Sequence, residues 1–405
     1  MEPYELADRI RSHLTALTRH AAGRPVGSAA NREAEDTIAA ALQAAGFEVE
    51  RQGFDCIEWR LDGTELWLGD GPLPATANPF SSPCDVTAPM VAASSLEELE
   101  RASLEGKVAM LHGALASMPL FPKNYPLFAV EEHQRIIELV EKGRPHAVIM
   151  ASPSKAQPAP LIEDGDFTLP SITVPAHVGQ VLLDAGGPVT LRINSTSKPG
   201  RGANVIGRRP YPTREKLVLC AHFDTKPGTP GALDNASGVA AILAVAERLS
   251  SANPAINLEV VAFNGEDHYA APGEVAYING CGNEFGRIAL LINVDGVGWK
   301  EHPATVAFFN CDTAWSNRVR KFMRSSSHLQ ETEPWPESDH SIFAMRGVAC
   351  LALTSAGIHE LVDGVIHTPG DTLDLVDASR IATVVEFLTD LVVAIGPPPV
   401  PVTHD

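Results

Sequence analysis

From Asn204 onward the chain alternates continuous apolar runs with helical stretches, and this pattern leaves few folds open. Lys216-Leu-Val-Leu-Cys-Ala221, Leu258-Glu-Val-Val-Ala-Phe263, Ala289-Leu-Leu-Ile-Asn-Val294 and Val348-Ala-Cys-Leu-Ala-Leu353 read as strands with little polar character on either face. Such strands must be covered on both sides, which implies a parallel-rich sheet in an α/β protein. Between them, Ala236 to Leu249 carries Val239, Ile242, Leu243, Ala246 and Leu249 on one helical face, and Ser379 to Ile395 reads as a final helix. The expected fold is therefore α/β, with a mixed, mostly parallel sheet sandwiched by helices.

The segments before Asn204 differ. Residues 4–47 read as helical, with apolar residues at helical spacing from Ala30 to Ala45 and a stop at Gly46. Phe47 to Phe54 then alternates like a strand. From Trp59 to about Pro199 short apolar runs are broken by Gly and Pro, among them Lys107-Val-Ala-Met-Leu-His112, Ala147-Val-Ile-Met-Ala151 and Ser171-Ile-Thr-Val174. One helical stretch, Val130 to Lys142, lies between them. The expected organisation is an α/β domain of residues 1–58 and 200–396, a mostly-β insert of residues 59–199, and a disordered Pro-rich tail of residues 397–405.

Composition narrows the function. The chain has 405 residues, 44% apolar and 20% charged, so wholesale disorder is excluded. No apolar run is long enough for a membrane span. A net charge of -19 repels phosphate backbones and anionic membrane surfaces, so neither nucleic acid nor membrane is an expected partner. The first residues show no basic segment followed by an apolar one, and a cytoplasmic location is the expectation. The six cysteines contain no CxxC and are expected as buried thiols.

The ionisable residues fall at strand ends, where open α/β sheets bind their ligands. His222-Phe-Asp224 ends the first strand, and Gly231-Ala-Leu-Asp234-Asn-Ala-Ser-Gly238 leads into the following helix. Gly265-Glu266-Asp267 and Asp295 end the next two strands, and Ile366-His367-Thr-Pro-Gly-Asp371-Thr372 follows the last. Two histidines with several carboxylates suit Zn²⁺, Co²⁺ or Mn²⁺, and their number suits two ions sharing a carboxylate. Singly, each residue has a plainer role: Asp234 as a helix cap, Glu266-Asp267 as a solvated pair, His367 as a surface histidine. Their recurrence at successive strand ends is what favours metal chemistry. No GxSxG, P-loop, HExxH or GxGxxG pattern competes with it.

Taken in order, these blocks resemble metallopeptidase family 28, the co-catalytic zinc aminopeptidases that also include the glutamate carboxypeptidase II group and glutaminyl cyclases. Phe263-Asn-Gly-Glu-Asp267, Asn293-Val-Asp295, Ser338-Asp-His340 with Phe343, and His367-Thr-Pro-Gly-Asp-Thr372 carry the likeness alongside the His222 and Asp234 blocks. The resemblance implies two divalent ions, zinc first, with cobalt or manganese as alternatives. Asp234 would bridge them, with His222 and Asp295 completing one site and Asp267 and His367 the other. Glu266 would be the general base and Asp224 the carboxylate that orients His222. The Asp234–Asn235 peptide bond would be cis. Residues 59–199 resemble a protease-associated domain through Gly106-Lys-Val-Ala-Met-Leu-His112, His146-Ala-Val-Ile-Met150 and Leu169-Pro-Ser-Ile-Thr-Val-Pro175.

The implied function is a metallo-aminopeptidase, an exopeptidase hydrolase acting on peptides with a free N-terminus. Glutaminyl cyclase or carboxypeptidase chemistry on the same metal site, and a non-catalytic binding module, are the alternatives. A homodimer is compatible with the resemblance. Three positions depart from the family. Asp267 stands where a second Glu is usual, Leu233 stands where an acidic residue is common, and the Asp267–Glu274 loop is longer than usual. His268, Tyr269 and Asp339 are further residues near these blocks, each with a plain packing or capping role as its alternative.

Overall fold

A computed structural model describes residues 3–125, 128–153, 159–251, 254–325, 329–362 and 364–395. The Pro-rich tail lies outside the described residues. The chain divides into one unit of Met1–Phe54, Gly202–His268 and Pro272–Asp405, and a second of Asp55–Arg201 with Tyr269–Ala271.

Four parallel strands form the centre of the first unit. In spatial order they are Cys350–Ser355, Ile288–Val294, Lys216–His222 and Asn257–Phe263. Ala304–Phe309 joins antiparallel beside Cys350–Ser355, with Leu329–Glu331 beyond it. The end of Pro188–Arg209 joins antiparallel on the other side, pairing Val205 to Arg209 with Ala262 to Leu258. The sheet is mixed and mostly parallel, as the continuous apolar runs predict. Every residue of Lys216–His222 is buried.

One face of this sheet is covered by the helix Ser237–Arg248, backed by Pro3–Leu17, Ala29–Ala44 and Ala378–Ala394. Ser237 to Ala246 are all buried, so this helix is enclosed on all sides rather than along one stripe. Phe263, Tyr277, Phe285 and Phe343 form an aromatic cluster that joins the sheet to Pro272–Cys281 and His340–Ala344.

The helical reading of residues 4–47 needs correction. The chain forms two helices, Pro3–Leu17 and Ala29–Ala44, with a break between them. Gly23 sits in that break at φ +79, and a Cβ there would lie 2.1 Å from the Thr229 carbonyl oxygen. Close backbone approach, not helix propensity, sets the conformation here. Ser28 starts the second helix by accepting a hydrogen bond from the Asn31 amide.

In the second unit Cys84–Ala93, Val108–Leu111, Ala147–Ala151 and Ser171–Val174 run parallel in that order, with Thr76–Ala77 antiparallel at the end. The sequence shows one helix here, but the structure has Leu96–Arg101, Glu131–Gly143 and Ala176–Ala185. The two additional helices are short, six and ten residues, too brief for periodicity to reveal. All six cysteines are free thiols; Cys220 and Cys350 are buried and the other four half-buried. Among the described residues no helix is long and apolar enough to cross a membrane.

Candidate metal centre

Strand register brings the predicted residues to one level. Phe263 pairs with His222, and Asn293 pairs with Cys220, so Asp295 stands level with His222 across the sheet. The loop after Phe263 carries Glu266 and Asp267 over the same carboxyl edge. His367 arrives from the turn after the last parallel strand, at φ +62.

Asp234 lies between the two histidines. Its Oδ1 is 3.1 Å from His222 Nε2 and its Oδ2 is 2.9 Å from His367 Nε2. His367 Nε2 is also 3.1 Å from Asp267 Oδ1. His222 Nε2 is 3.7 Å from Asp295 Oδ1 and 3.9 Å from Glu266 Oε2. The shorter Asp267 therefore still reaches His367. Asp234 is not a helix cap: it lies inside the irregular turn Ala232–Ala236 with non-helical backbone angles, and the Asp234–Asn235 bond is cis.

Asp224 accepts hydrogen bonds from the Gly265 amide (2.8 Å) and the Asp267 amide (3.1 Å), and stands 3.6 Å from His222 Nδ1. This buried carboxylate thus fixes the loop that bears Glu266 and Asp267 by two hydrogen bonds, with His222 beside it.

Several supporting residues carry no readable sequence signal. Asp371, in the turn that bears His367, accepts from the Leu233 amide (2.8 Å) and the Asp234 amide (3.0 Å). Burial, then the Asp234 charge, pushes its carboxyl up to about 7. Arg24 is fully buried and donates to the carbonyls of Leu17, Phe223, Pro230 and Gly231, pinning both arms that enter the site. Burial lowers its guanidinium to about 10. Asn235 donates to the Val294 carbonyl and accepts from the Gly238 amide. Lys226 donates to the Asp267 carbonyl at 2.8 Å.

The remaining candidates separate. His340 is buried, its Nε2 donates to the Trp335 carbonyl, and burial holds its pKa down to about 4. It is a packing residue. Asp339 makes no capping bond, and both its oxygens are buried without a hydrogen-bond partner. Burial and then the charge of Glu274 push its carboxyl up, and burial raises Glu274 itself to about 7. Tyr269 packs edge-on to Phe80 within the second unit. His268 is buried. Leu233 packs with Trp299 and Ile366 in a small apolar cluster, which accounts for an apolar residue at that position.

The donor set fits a divalent metal. His222 Nε2 and Oδ2 of Asp267 are buried without a hydrogen-bond partner, a cost that a bound cation would remove. His222, Asp234 and Asp267 offer ligand atoms within 4.8 Å of one another. Zinc ligands about 2.1 Å from a tetrahedral ion stand about 3.4 Å apart, and the donor pairs here run from 2.9 to 3.7 Å. Burial alone would lower the pKa of His222 and His367. The carboxylates around them outweigh it, chiefly Asp295 for His222 and Asp267 for His367, and both pKa values are raised. The cluster demands positive charge.

Residues 204–392 match peptidase family M28. That match spans 189 of the 405 residues. Among curated proteins, the one named "Probable lipoprotein aminopeptidase LpqL" in Mycobacterium tuberculosis is 25% identical over 305 residues, 71% of this chain and 58% of LpqL. Aminopeptidase YwaD of Bacillus subtilis is 24% identical over 95% of this chain and 83% of YwaD. Among solved structures, a zinc aminopeptidase from Bacillus subtilis superposes with a TM-score of 0.78 at 21% identity, covering 95% of this chain and 94% of that one. The M28 segment contains every residue of the cluster, and the fold is that of the zinc aminopeptidases.

Proposed function

We propose that this protein is a metal-dependent M28 aminopeptidase that removes N-terminal residues from peptides. The observation that carries the reading is Asp234, whose two oxygens face different histidines while Glu266 stands beside them, 3.9 Å from His222 Nε2. That arrangement supports two ions sharing Asp234, with His222 and Asp295 on one and Asp267 and His367 on the other. Zinc is the ion named for the Bacillus subtilis structure, and it is the ion proposed here. Ions held there would acidify a water and polarise the scissile carbonyl.

The chain's own residues would do the rest. Glu266 takes the proton of the attacking water and passes it to the leaving amine. Burial, and then the neighbouring carboxylates against the pull of His222, raise its proton affinity, which suits a base that must also release its proton as an acid. Asp224 and Asp371 hold His222 and the Asp234 turn so that these groups do not reorganise during reaction. The second unit is proposed as a protease-associated-like insert, on the strength of the sequence likeness around Val108–Leu111, Ala147–Ala151 and Ser171–Val174.

A peptide beginning with Gln tests the reading by mass spectrometry. A shortened peptide is the expected product. Loss of about 17 Da without shortening would replace hydrolysis by glutaminyl cyclisation, and trimming from the C-terminus would replace it by carboxypeptidase action.

A further inference from the structure

The cavity at the candidate centre, about 290 Å³, has a side that the metal chemistry does not use. Asp234, Glu266, Asp295 and His367 line one part of it, and Trp335, Glu337, Ser338, Thr354, Ile358 and Ile366 line the rest. Ile366 and Ile358 are backed by the apolar cluster around Leu233 and Trp299, so that wall is rigid and carbon-faced. Gly296 adjoins it at φ +68, and a Cβ there would come within 3.1 Å of Thr354 Oγ1 and 3.3 Å of Ile358 Cδ1.

Glu337 differs from every other carboxylate in this cavity. Asp234, Glu266 and Asp295 are within 4 Å of His222, whereas Glu337 forms no ion pair or hydrogen bond with any described residue. The segment bearing it is nonetheless fixed. Trp335 O accepts from His340 Nε2 at 2.9 Å, Pro336 O accepts from Ser341 Oγ, and Ser338 Oγ accepts from Asn293 Nδ2 at 2.8 Å. The carboxylate is exposed at the edge of the cavity, on a segment held by the backbone carbonyls of Trp335 and Pro336 before it and the Ser338 side chain after it.

An apolar wall with one uncommitted carboxylate at its margin suits a side chain with a hydrocarbon stem and a cationic head. We infer that Glu337 is a specificity-determining residue that favours substrates whose N-terminal residue is Lys or Arg. This rests on the aminopeptidase reading above. The stem covers Ile358, Ile366 and Trp335 while the head meets Glu337 in partial solvent. A Leu or Met side chain gains the wall alone. An Asp or Glu side chain meets a like charge and is disfavoured.

The test compares kcat/KM for aminoacyl fluorogenic amides of Arg, Lys, Leu and Glu in the metal-loaded wild type, Glu337→Gln and Glu337→Lys. The wild type should prefer Arg and Lys over Leu, and strongly over Glu. Glu337→Gln should cut the Arg-to-Leu ratio about fivefold while Leu turnover stays within about twofold, the scale of a partly exposed ion pair. Glu337→Lys should lower it further and raise turnover of the Glu substrate. Added salt should shrink the wild-type ratio and leave that of Glu337→Gln unchanged. An unchanged ratio in Glu337→Gln would overturn the inference. So would equal loss on every substrate, which would place Glu337 on the α-amine common to all of them. Turnover of none of these substrates by the wild type would remove the aminopeptidase reading and this inference with it.

Discussion

The two ends of the central sheet each hold a charged cavity, and they differ in how their charges are settled. At the amino ends of the strands lies the larger, about 460 Å³, lined by Arg208, Lys216, Glu259, Tyr277, Glu284 and Arg287 among others. There the acids have cationic partners. Glu259 is 3.2 Å from both Lys216 Nζ and Arg208 Nε and accepts from Tyr277 Oη, Glu284 is 2.6 Å from Arg287, and Glu50 pairs with Arg208. At the carboxyl ends lies the smaller, about 290 Å³. Its lining acids Asp234, Glu266, Asp295 and Glu337 have no Lys or Arg partner among the described residues, although Asp267 beside them has Lys226 Nζ at 3.6 Å, and buried nitrogen and oxygen atoms beside it lack hydrogen bonds. Cavity volume points to the wrong end of the sheet; uncompensated buried charge points to the functional one. Structural ion pairs balance themselves, whereas a metal site is left in deficit until its ion arrives.

Substitutions at the two ends should separate accordingly. Glu266→Gln has the largest expected effect. It should lower kcat by about 10² to 10⁴-fold, the usual contribution of a general base, with zinc content and thermal midpoint little changed. Near-normal turnover would remove Glu266 from the mechanism. Chelation should abolish turnover and lower the thermal midpoint, because His222 and Asp267 then keep unsatisfied buried atoms. Readdition of zinc should restore both.

Glu259→Gln sharpens the contrast from the other side. The carboxylate is buried and its pKa is lowered, since Lys216, the Tyr277 hydroxyl and Arg208 together outweigh the opposing effect of burial. The variant leaves the buried Lys216 without its charge partner, so urea unfolding should show a loss of about 3 kcal/mol. The kcat of the folded protein should not move. A lowered kcat at unchanged stability would erase the difference between the two ends.

The smallest effect is a reference away from both cavities. Glu247 joins the enclosed helix to Pro3–Leu17 through Arg9 at 2.6 Å and His13 at 3.1 Å. Burial raises its pKa, but the bonds from His13 and Arg9 prevail and bring it down from 4.5 to about 2. A depressed carboxylate stabilises the fold above its unfolded pKa and ceases to do so as pH falls through the folded one. Glu247→Gln should therefore cost about 1–2 kcal/mol at pH 7, a difference that shrinks between pH 4.5 and 2. A difference constant over that range would mean that packing, not charge, is at stake.

What could be read from the sequence follows from where each signal resides. The central strands are legible because burial on both faces makes them continuously apolar, and His222, Glu266, Asp267 and Asp295 are legible because each sits just at or past such a strand. The break between Pro3–Leu17 and Ala29–Ala44 is not, because Gly23 is constrained by Thr229, distant in sequence. Arg24 has the same difficulty: its partner Gly231 lies 207 residues away, and an arginine before a proline has no local mark of burial. Asp234 looks like a helix cap until the turn that bears it is seen to be irregular and to take its amide contacts from Asp371. Glu337 looks like any surface acid; only the wall beside it and the lack of a partner distinguish it.

The most direct measurement offers the zinc-loaded protein one peptide in free and N-acetylated forms and follows the products by mass spectrometry. Stepwise loss of N-terminal residues from the free form alone, stopped by chelator, is the predicted result. Equal cleavage of both forms, or cleavage of neither, would contradict an aminopeptidase built on Asp234 and Glu266.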